Sequence, residues 1–158
     1  MAEDSAAGME APQQQQKLPK IYTLEDVNAI TDTVQFRQEL INAIREGFQS
    51  YSKKEFNACP IQTMGAAPMA PFGGVGDDNY AAQTCVKSGY VTGASHYVIK
   101  VASGGHPLPS NSGLMQVYSQ STGRLEALLL DEGILTELRT AAAGALAASL
   151  LAPPSICK

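Results

Sequence analysis

The chain has 158 residues, of which 44% are hydrophobic and 16% are charged, and its formal net charge at pH 7 is −4. This length and balance are typical of one folded domain, and the acidic charge argues against a general surface for nucleic acid or anionic membranes. No apolar run reaches the roughly 18 residues of a membrane span, and no secretory signal opens the chain, so we expect a cytoplasmic protein.

Residues 1–19 form a tail that precedes the first predicted element. The tail is rich in Ala, Gln, Glu and Pro and has almost no large apolar side chain, a composition typical of disorder. Two helices are predicted next. Thr23 and Asp26 make a capping-box-like start to a short helix that ends near Ile30. Apolar residues at helical spacing predict a longer helix over residues 32–51.

The middle of the chain changes to strand and turn signals. Runs with strand composition, separated by glycine-rich and serine-rich turns, lie at 60–65, 80–90, 96–102, 113–119 and 124–130. An Ala-rich helix should then begin at Asp131 or Glu132 and stop before Pro153. The order predicts an α+β fold, with N-terminal helices, a mixed or antiparallel sheet of about five to six strands and a closing helix.

Two features that suggest chemistry are better explained as ordinary structure. Gly73-Gly-Val-Gly76 is followed by Asp77 and Asp78 and by no Lys-Ser/Thr pair, so it indicates a turn rather than a phosphate loop. The 3 cysteines and 2 histidines have no ligand spacing, so we predict no metal site.

Arg139 lies in the predicted Ala-rich helix, within an apolar stripe. At about 100° per residue, this stripe contains Leu135, Ala142, Leu146 and Leu150. An arginine cannot shed its charge, and leaving it buried without acceptors would cost several kcal/mol. We therefore expect a protein carboxylate or an anionic ligand to meet Arg139, unless its long stem carries the guanidinium to water.

Lys100 lies between Val98 and Ala102 on one face of the strand predicted over residues 96–102. Alternation alone does not say which face is solvated, so Lys100 is either an exposed surface lysine or part of a site. The glycine turn that follows the strand would let a ligand approach closely. Lys100 and Arg139 together would make a cationic pair for a carboxylate, with the arginine as a bidentate fork and the lysine as a compact charge.

Several motifs, in the same order, resemble the ornithine cyclodeaminase/mu-crystallin family. The most specific is Leu-Thr-x-x-Arg-Thr-Ala-Ala at residues 135–142. It is preceded by Tyr-Val-Ile-Lys-Val-Ala (97–102), Ser-Gly-Leu-Met (112–115), Ser-Thr-Gly (121–123) and Ala-Leu-Leu-Leu-Asp (127–131). The resemblance covers residues 22–153 and corresponds to the N-terminal half of a family member, which forms the substrate-side domain and the dimer interface.

The resemblance implies roles for individual residues. Lys100 would contact the substrate carboxylate and take part in catalysis. Arg139 would hold that carboxylate close to the cofactor, and Thr140 would lie with it in the cofactor-binding position. Gln62 would occupy the place of a further family arginine that binds substrate, and losing one charge-assisted contact costs about 1.5–3 kcal/mol.

The resemblance also implies a division of the chain. Residues 1–19 would be the disordered tail, residues 20–152 the substrate-binding and dimerisation domain, and residues 153–158 an aberrant short C-terminal tail. No Gly-x-Gly-x-x-Gly motif follows the last helix, so we expect the family's Rossmann domain, and the catalytic aspartate of that half, to be absent.

Two kinds of function therefore stay open. The family reaction is an NAD- or NADP-dependent deamination and cyclisation of amino acids, or a ketimine reduction, acting on a small amino-acid or imino-acid substrate. A truncated member would supply the carboxylate clamp and the dimer surface, and would be inactive alone. The alternative is a non-catalytic module that forms a homodimer, or a heterodimer with a full-length relative, because barrel closure removes sheet edges. No nucleic-acid or membrane partner is expected.

Overall fold

The computed structural model describes residues 18–65, 83–104 and 111–153. Its helices and strands follow in the order β1 (Lys20–Tyr22), α1 (Leu24–Thr31), α2 (Val34–Ser52), β2 (Phe56–Ala58), β3 (Gln62–Met64), β4 (Gln83–Val91), β5 (His96–Gly104), β6 (Asn111–Ser119), β7 (Leu125–Leu129) and α3 (Ile134–Leu151). The predicted α+β class is confirmed. The predicted tail at 1–19 lies almost wholly outside these residues, as do the whole glycine-rich turn at 73–76 and most of the C-terminal tail.

The two N-terminal helices begin where side chains satisfy their free backbone N–H groups. In α1, the Asp26 backbone N–H donates to Thr23 Oγ1 at 3.3 Å, and the Thr23 backbone N–H donates to Asp26 Oδ2 at 2.8 Å. This is the predicted capping box, with aspartate in the glutamate position. In α2 the N-cap is Thr33 rather than the predicted Asp32. Asp32 instead forms an ion pair with Arg37 at 2.6 Å.

The described strands form one mixed sheet in the order β1-β7-β6-β5-β4-β2, and β3 also pairs with β4. All pairs are antiparallel except β1 with β7, which is parallel. The sheet has 7 strands rather than five or six. Strands β1 and β2 have 3 residues each, too few for alternation to reveal, and their place is set by backbone hydrogen bonds to longer strands.

The register of the long strands decides which side chains share a face. Lys100 on β5 is directly opposite Lys87 on β4 and Met115 on β6, so these three side chains lie on one face. Gly113 on β6 belongs to the same face, and a Cβ there would lie 2.8 Å from the Val101 carbonyl oxygen. Glycine is therefore needed at this position, because the backbone of β5 leaves no room for a side chain.

The packed core of the described residues is small. Its buried hydrophobic side chains are Val27, Ala142 and Leu146. Helices α2 and α3 pack against each other, whereas Leu150 and Leu151 at the end of α3 are 67% and 82% exposed. By length and composition alone, α3 is apolar enough to cross a membrane, so the expectation that no stretch reaches this length does not hold. One such helix is weak evidence, because core helices of soluble proteins pass the same test.

Candidate functional site

Lys100 is held between the sheet and the first turn of α3. Its Nζ donates a hydrogen bond to Thr136 Oγ1, which joins β5 to α3. Burial lowers the pKa of the Lys100 ammonium, and repulsion by the Arg139 guanidinium lowers this pKa further. The Asp131 carboxylate acts in the opposite direction on the same pKa, more weakly than Arg139. The structure therefore brings the two predicted cations within electrostatic reach of each other.

Asp131 anchors the start of α3 and is the most deeply buried polar side chain among the described residues, at 1% exposure. Its Oδ2 accepts a hydrogen bond from the Leu135 backbone N–H at 3.2 Å. The N-cap residue itself, Gly133, has φ of 90° and offers no side-chain cap. Asp131 thus replaces the missing cap at the start of the helix that carries Arg139.

Neither cation forms an ion pair in the part of the chain that the structure describes, although the buried Asp131 carboxylate partly offsets the charge of Lys100. The ion pairs found there are Arg37–Asp32 and His96–Glu126. Lys100 has a neutral hydroxyl partner, and no described residue accepts a hydrogen bond from Arg139. The structure therefore does not support pairing of Arg139 with an acidic residue of the described chain. The other two alternatives are solvation of the guanidinium and binding of an anionic ligand.

The predicted apolar stripe around Arg139 is narrower than the helical spacing suggests. Ala142 and Leu146 are buried, but Leu150 is largely exposed, and Arg139 itself is exposed. The exposure of Arg139 agrees with the alternative in which its long stem carries the guanidinium to water.

A cavity of about 420 Å³ lies beside Arg139, between α2 and α3. Its wall on α2 consists of Ala43, Ile44, Gly47, Phe48 and Tyr51, and the remaining described lining residues are Phe56, Ala143 and Arg139. The cavity is therefore apolar, with a single described charge at its side.

The Phe56 ring lines this cavity from β2, and Gly89 on β4 leaves room for it. A Cβ at Gly89 would lie 2.5 Å from Phe56 Cζ, closer than van der Waals contact allows. The ring centroids of Phe56 and Tyr51 are 6.4 Å apart with an angle of 52° between the ring planes, a favourable aromatic arrangement. The aromatic wall thus depends on a glycine in β4.

The two remaining predicted site residues are Gln62 on β3 and Thr140 on α3. Gln62 pairs with Val86, and the sheet register puts both on the face opposite to Lys100. The structure does not bring Gln62 to the two cations, and its role in binding substrate stays a prediction. Thr140 is exposed, and its Oγ1 donates to the Thr136 carbonyl oxygen at 2.7 Å. Its cofactor-binding role also stays a prediction.

Sequence reasoning missed Lys87, a third cation of the same site. Lys87 is directly opposite Lys100 across β4 and β5, and its charge also lowers the pKa of Lys100, less than Arg139 does. Like charges at opposed positions destabilise a sheet, so this arrangement favours an anion nearby. The signal was available, because counting back from a hairpin turn at residues 92–95 pairs these two lysines.

Comparison with known proteins gives relatives that carry dehydrogenase and cyclodeaminase names. No family model matches the chain. It is 34% identical over 137 residues to a protein of Rhizobium meliloti named as a dehydrogenase, covering 84% of this chain and 37% of that protein. It is 48% identical over 71 residues to an uncharacterized cyclodeaminase of Sinorhizobium fredii, covering 42% of this chain and 22% of that protein. The chain thus spans less than two fifths of either relative.

Solved structures share the fold at low sequence identity. An archaeal alanine dehydrogenase dimer with bound NAD has a TM-score of 0.65 and 23% identity, over 85% of this chain and 38% of that chain. The iminosuccinate reductase of Paracoccus denitrificans in complex with NAD+ has a TM-score of 0.65 and 20% identity, over 86% and 39%. A lysine cyclodeaminase that recognises L-lysine, L-ornithine and L-2,4-diaminobutyric acid has a TM-score of 0.63 and 21% identity, over 86% and 39%.

Proposed function

Because the chain resembles the N-terminal part of the ornithine cyclodeaminase/mu-crystallin family, we propose that it binds the carboxylate of a small amino acid or imino acid for a nicotinamide-dependent reaction. Lys100 and Arg139 hold that carboxylate. The observation that carries this proposal is the excess of positive charge at the site, where the charges of Arg139 and Lys87 act on Lys100 against the single carboxylate of Asp131, which forms no described ion pair.

The chemistry of the two side chains supports a carboxylate as the missing anion. Arg139 is exposed on α3 and has all its N–H donors free of described acceptors, so its planar fork is available for bidentate binding. Lys100 comes from the sheet and adds a point charge from a second direction. A bound carboxylate would relieve the repulsion between the two cations, which strengthens its binding.

The half-buried position of Lys100 supports a further role in proton transfer. Burial and the positive charge of Arg139 lower the pKa of its ammonium, which makes the group a better proton donor than a solvated lysine. Its hydrogen bond to Thr136 Oγ1 fixes the direction of the side chain. Lys100 would therefore both bind the carboxylate and exchange a proton with the nitrogen of the bound substrate.

The described residues do not by themselves fit a nicotinamide dinucleotide. The start of α3 is flanked by the carboxylates of Asp131 and Glu132, which would repel a pyrophosphate, and no glycine-rich dinucleotide loop occurs in the described ranges. A nicotinamide supplies hydride transfer when bound. The proposed contribution of this chain is limited to substrate binding and proton transfer, with Arg139 and Thr140 on the side of α3 that would face a cofactor.

Carboxylate binding is tested by titrating the 158-residue chain with L-alanine, L-proline and L-ornithine, followed by NMR. We expect saturable binding that is lost in Arg139→Met and in Lys100→Met and is kept in Lys20→Met, a lysine on β1. Equal binding by all three variants would contradict the proposal. Adding NAD or NADP to the same samples tests turnover, which we do not expect from the chain alone.

A second function, as a module that pairs with another subunit, is favoured by the amount of uncovered apolar surface. Ile21, Tyr90, Leu150 and Leu151 are exposed, and β1 and β2 are the short edge strands of an open sheet. Such edges and apolar surfaces favour association. We propose a homodimer, or a heterodimer with a full-length relative, as the assembled form. Size-exclusion chromatography with light scattering tests this, and a stable monomer at high concentration would contradict it.

A further inference from the structure

We infer that the cavity between α2 and α3 receives an apolar side chain of the ligand, so that this chain selects carboxylates with an aromatic or aliphatic substituent over those with a second charge. The inference rests on the proposed function, because Arg139 at the cavity would hold the carboxylate. The carboxylate site alone does not specify the rest of the substrate. The inference adds the chemical class of the group that the carboxylate carries.

The lining of the cavity matches an apolar group and mismatches an ammonium group. Phe48, Tyr51 and Phe56 contribute aromatic surface and are 56%, 63% and 37% exposed, so their rings are available to cover a ligand. None of the described lining residues is acidic. The terminal ammonium of an ornithine-like ligand would lose its hydration there without gaining a carboxylate partner, which is unfavourable.

The volume also fits a small organic ligand. At about 420 Å³ the cavity lies at the lower end of the range for small-molecule sites, which is about 300–1,000 Å³. Arg139 and three aromatic residues line the same cavity, so one ligand could contact the guanidinium with its carboxylate and the aromatic surface with its other end.

Gly47 keeps the cavity open at a cost to its own helix. It lies in the interior of α2, where glycine is among the least favourable residues. A Cβ at this position would meet no described atom within 4 Å, so no packing contact requires glycine. Because Gly47 is exposed and lines the cavity, a large side chain at position 47 would narrow it.

Four carboxylate probes test the selectivity with the 158-residue chain, by ligand-observed NMR. Acetate tests the carboxylate site alone, and phenylpropionate adds an aromatic group. Hexanoate and δ-aminovalerate have the same chain length but end in a methyl and an ammonium group, respectively. We expect phenylpropionate and hexanoate to bind at least about tenfold more tightly than acetate. The affinity for δ-aminovalerate should not exceed that for acetate.

A matched pair of glycine variants localises the selectivity. Gly47→Leu should bring the affinity for phenylpropionate closer to that for acetate, because leucine takes up part of the cavity, and should leave acetate binding unchanged. Gly144→Leu is the control, since Gly144 lies in the interior of α3, also has open space around its Cβ position and does not line the cavity. It should change neither affinity.

Failure of this inference is distinguishable from failure of the carboxylate site. If the probes bind equally and Arg139→Met still abolishes binding, the pocket assignment is overturned and the carboxylate site stands. If none of the probes binds, or if Arg139→Met changes nothing, both are overturned. If a folded Gly47→Leu protein keeps the same selectivity, the apolar group binds elsewhere, and the assignment of this cavity is overturned. Should Gly47→Leu not fold, the comparison of hexanoate with δ-aminovalerate on the native chain still decides selectivity.

Discussion

Two clusters of ionisable side chains lie on the same protein and differ in one respect. At the His96 edge, His96 Nε2 lies 2.9 Å from Glu126 Oε2, and its Nδ1 shares a hydrogen bond of 2.8 Å with Ser95 Oγ. At the α3 site, Lys100 meets a neutral hydroxyl, and Arg139 has no described acceptor. The first cluster supplies its own opposite charge, whereas the second leaves a positive excess.

The difference indicates which cluster requires a ligand. His96 and Glu126 are 45% and 51% exposed, so water screens their interaction and either side chain would tolerate the loss of the other. Lys100 is half-buried, and its burial, followed by repulsion from Arg139, lowers the pKa of its ammonium. A constellation of serine, histidine and glutamate is the more familiar sign of catalysis, yet uncompensated charge is the stronger physical argument for a binding site.

The largest expected effects concern substitutions at the α3 site. Equal effects of substitutions at the His96 edge would contradict the difference between the two clusters. Lys100→Met and Arg139→Met should each weaken carboxylate binding about 10- to 100-fold, because each removes a charge-assisted contact of about 1.5–3 kcal/mol. Titrations followed by NMR measure this. Lys20→Met removes an equal charge from the cavity beside His96 and should change the affinity less than about twofold.

The next effect concerns the stability that Asp131 gives to the site. Asp131→Ala should lower the free energy of unfolding by about 1–3 kcal/mol, since it removes a buried carboxylate that accepts the Leu135 N–H. Urea denaturation measures this change. Glu137→Ala, an exposed acid in the first turn of the same helix, should stay within about 0.5 kcal/mol of the native chain. A similar loss in both variants would mean that only the helix dipole is affected.

The lowered pKa of Lys100 predicts how carboxylate affinity and stability at the α3 site depend on pH. Its protonated form binds carboxylate, so affinity should fall as pH rises through that pKa, beginning below the usual lysine value of 10.5. In the window between the two values the unfolded chain binds more protons than the folded chain, so this residue's contribution to stability rises with pH. Lys100→Met should remove both dependences, and a native-like pH profile in that variant would assign them to another group.

The smallest effect is expected at the compensated cluster. Glu126→Gln should change the free energy of unfolding by about 0–1 kcal/mol, because both partners of the exposed pair are solvated. Carboxylate affinity should not change. If Glu126→Gln weakened binding as much as Lys100→Met does, the ligand site would lie at the His96 edge and the contrast between the clusters would be reversed.

Long elements with a clear period were predictable from the chain, and short ones were not. The capping box at Thr23 and Asp26 was visible because its contacts are local. The strands β1 and β2 were missed because 3 residues have no measurable alternation, and they form only when distant strands offer backbone partners. The α2 start moved from Asp32 to Thr33 because Asp32 engages Arg37 instead.

The sequence by itself determined that this is an α+β chain with one cation on a strand and another on the last helix, because alternation and helical spacing depend on neighbours along the chain. Only the tertiary structure decided that Lys100 faces Thr136, that Lys87 joins it, that Gln62 lies on the opposite face and that Arg139 borders an apolar cavity. These facts depend on strand register and helix packing, which bring together residues far apart in the chain and which no local pattern specifies.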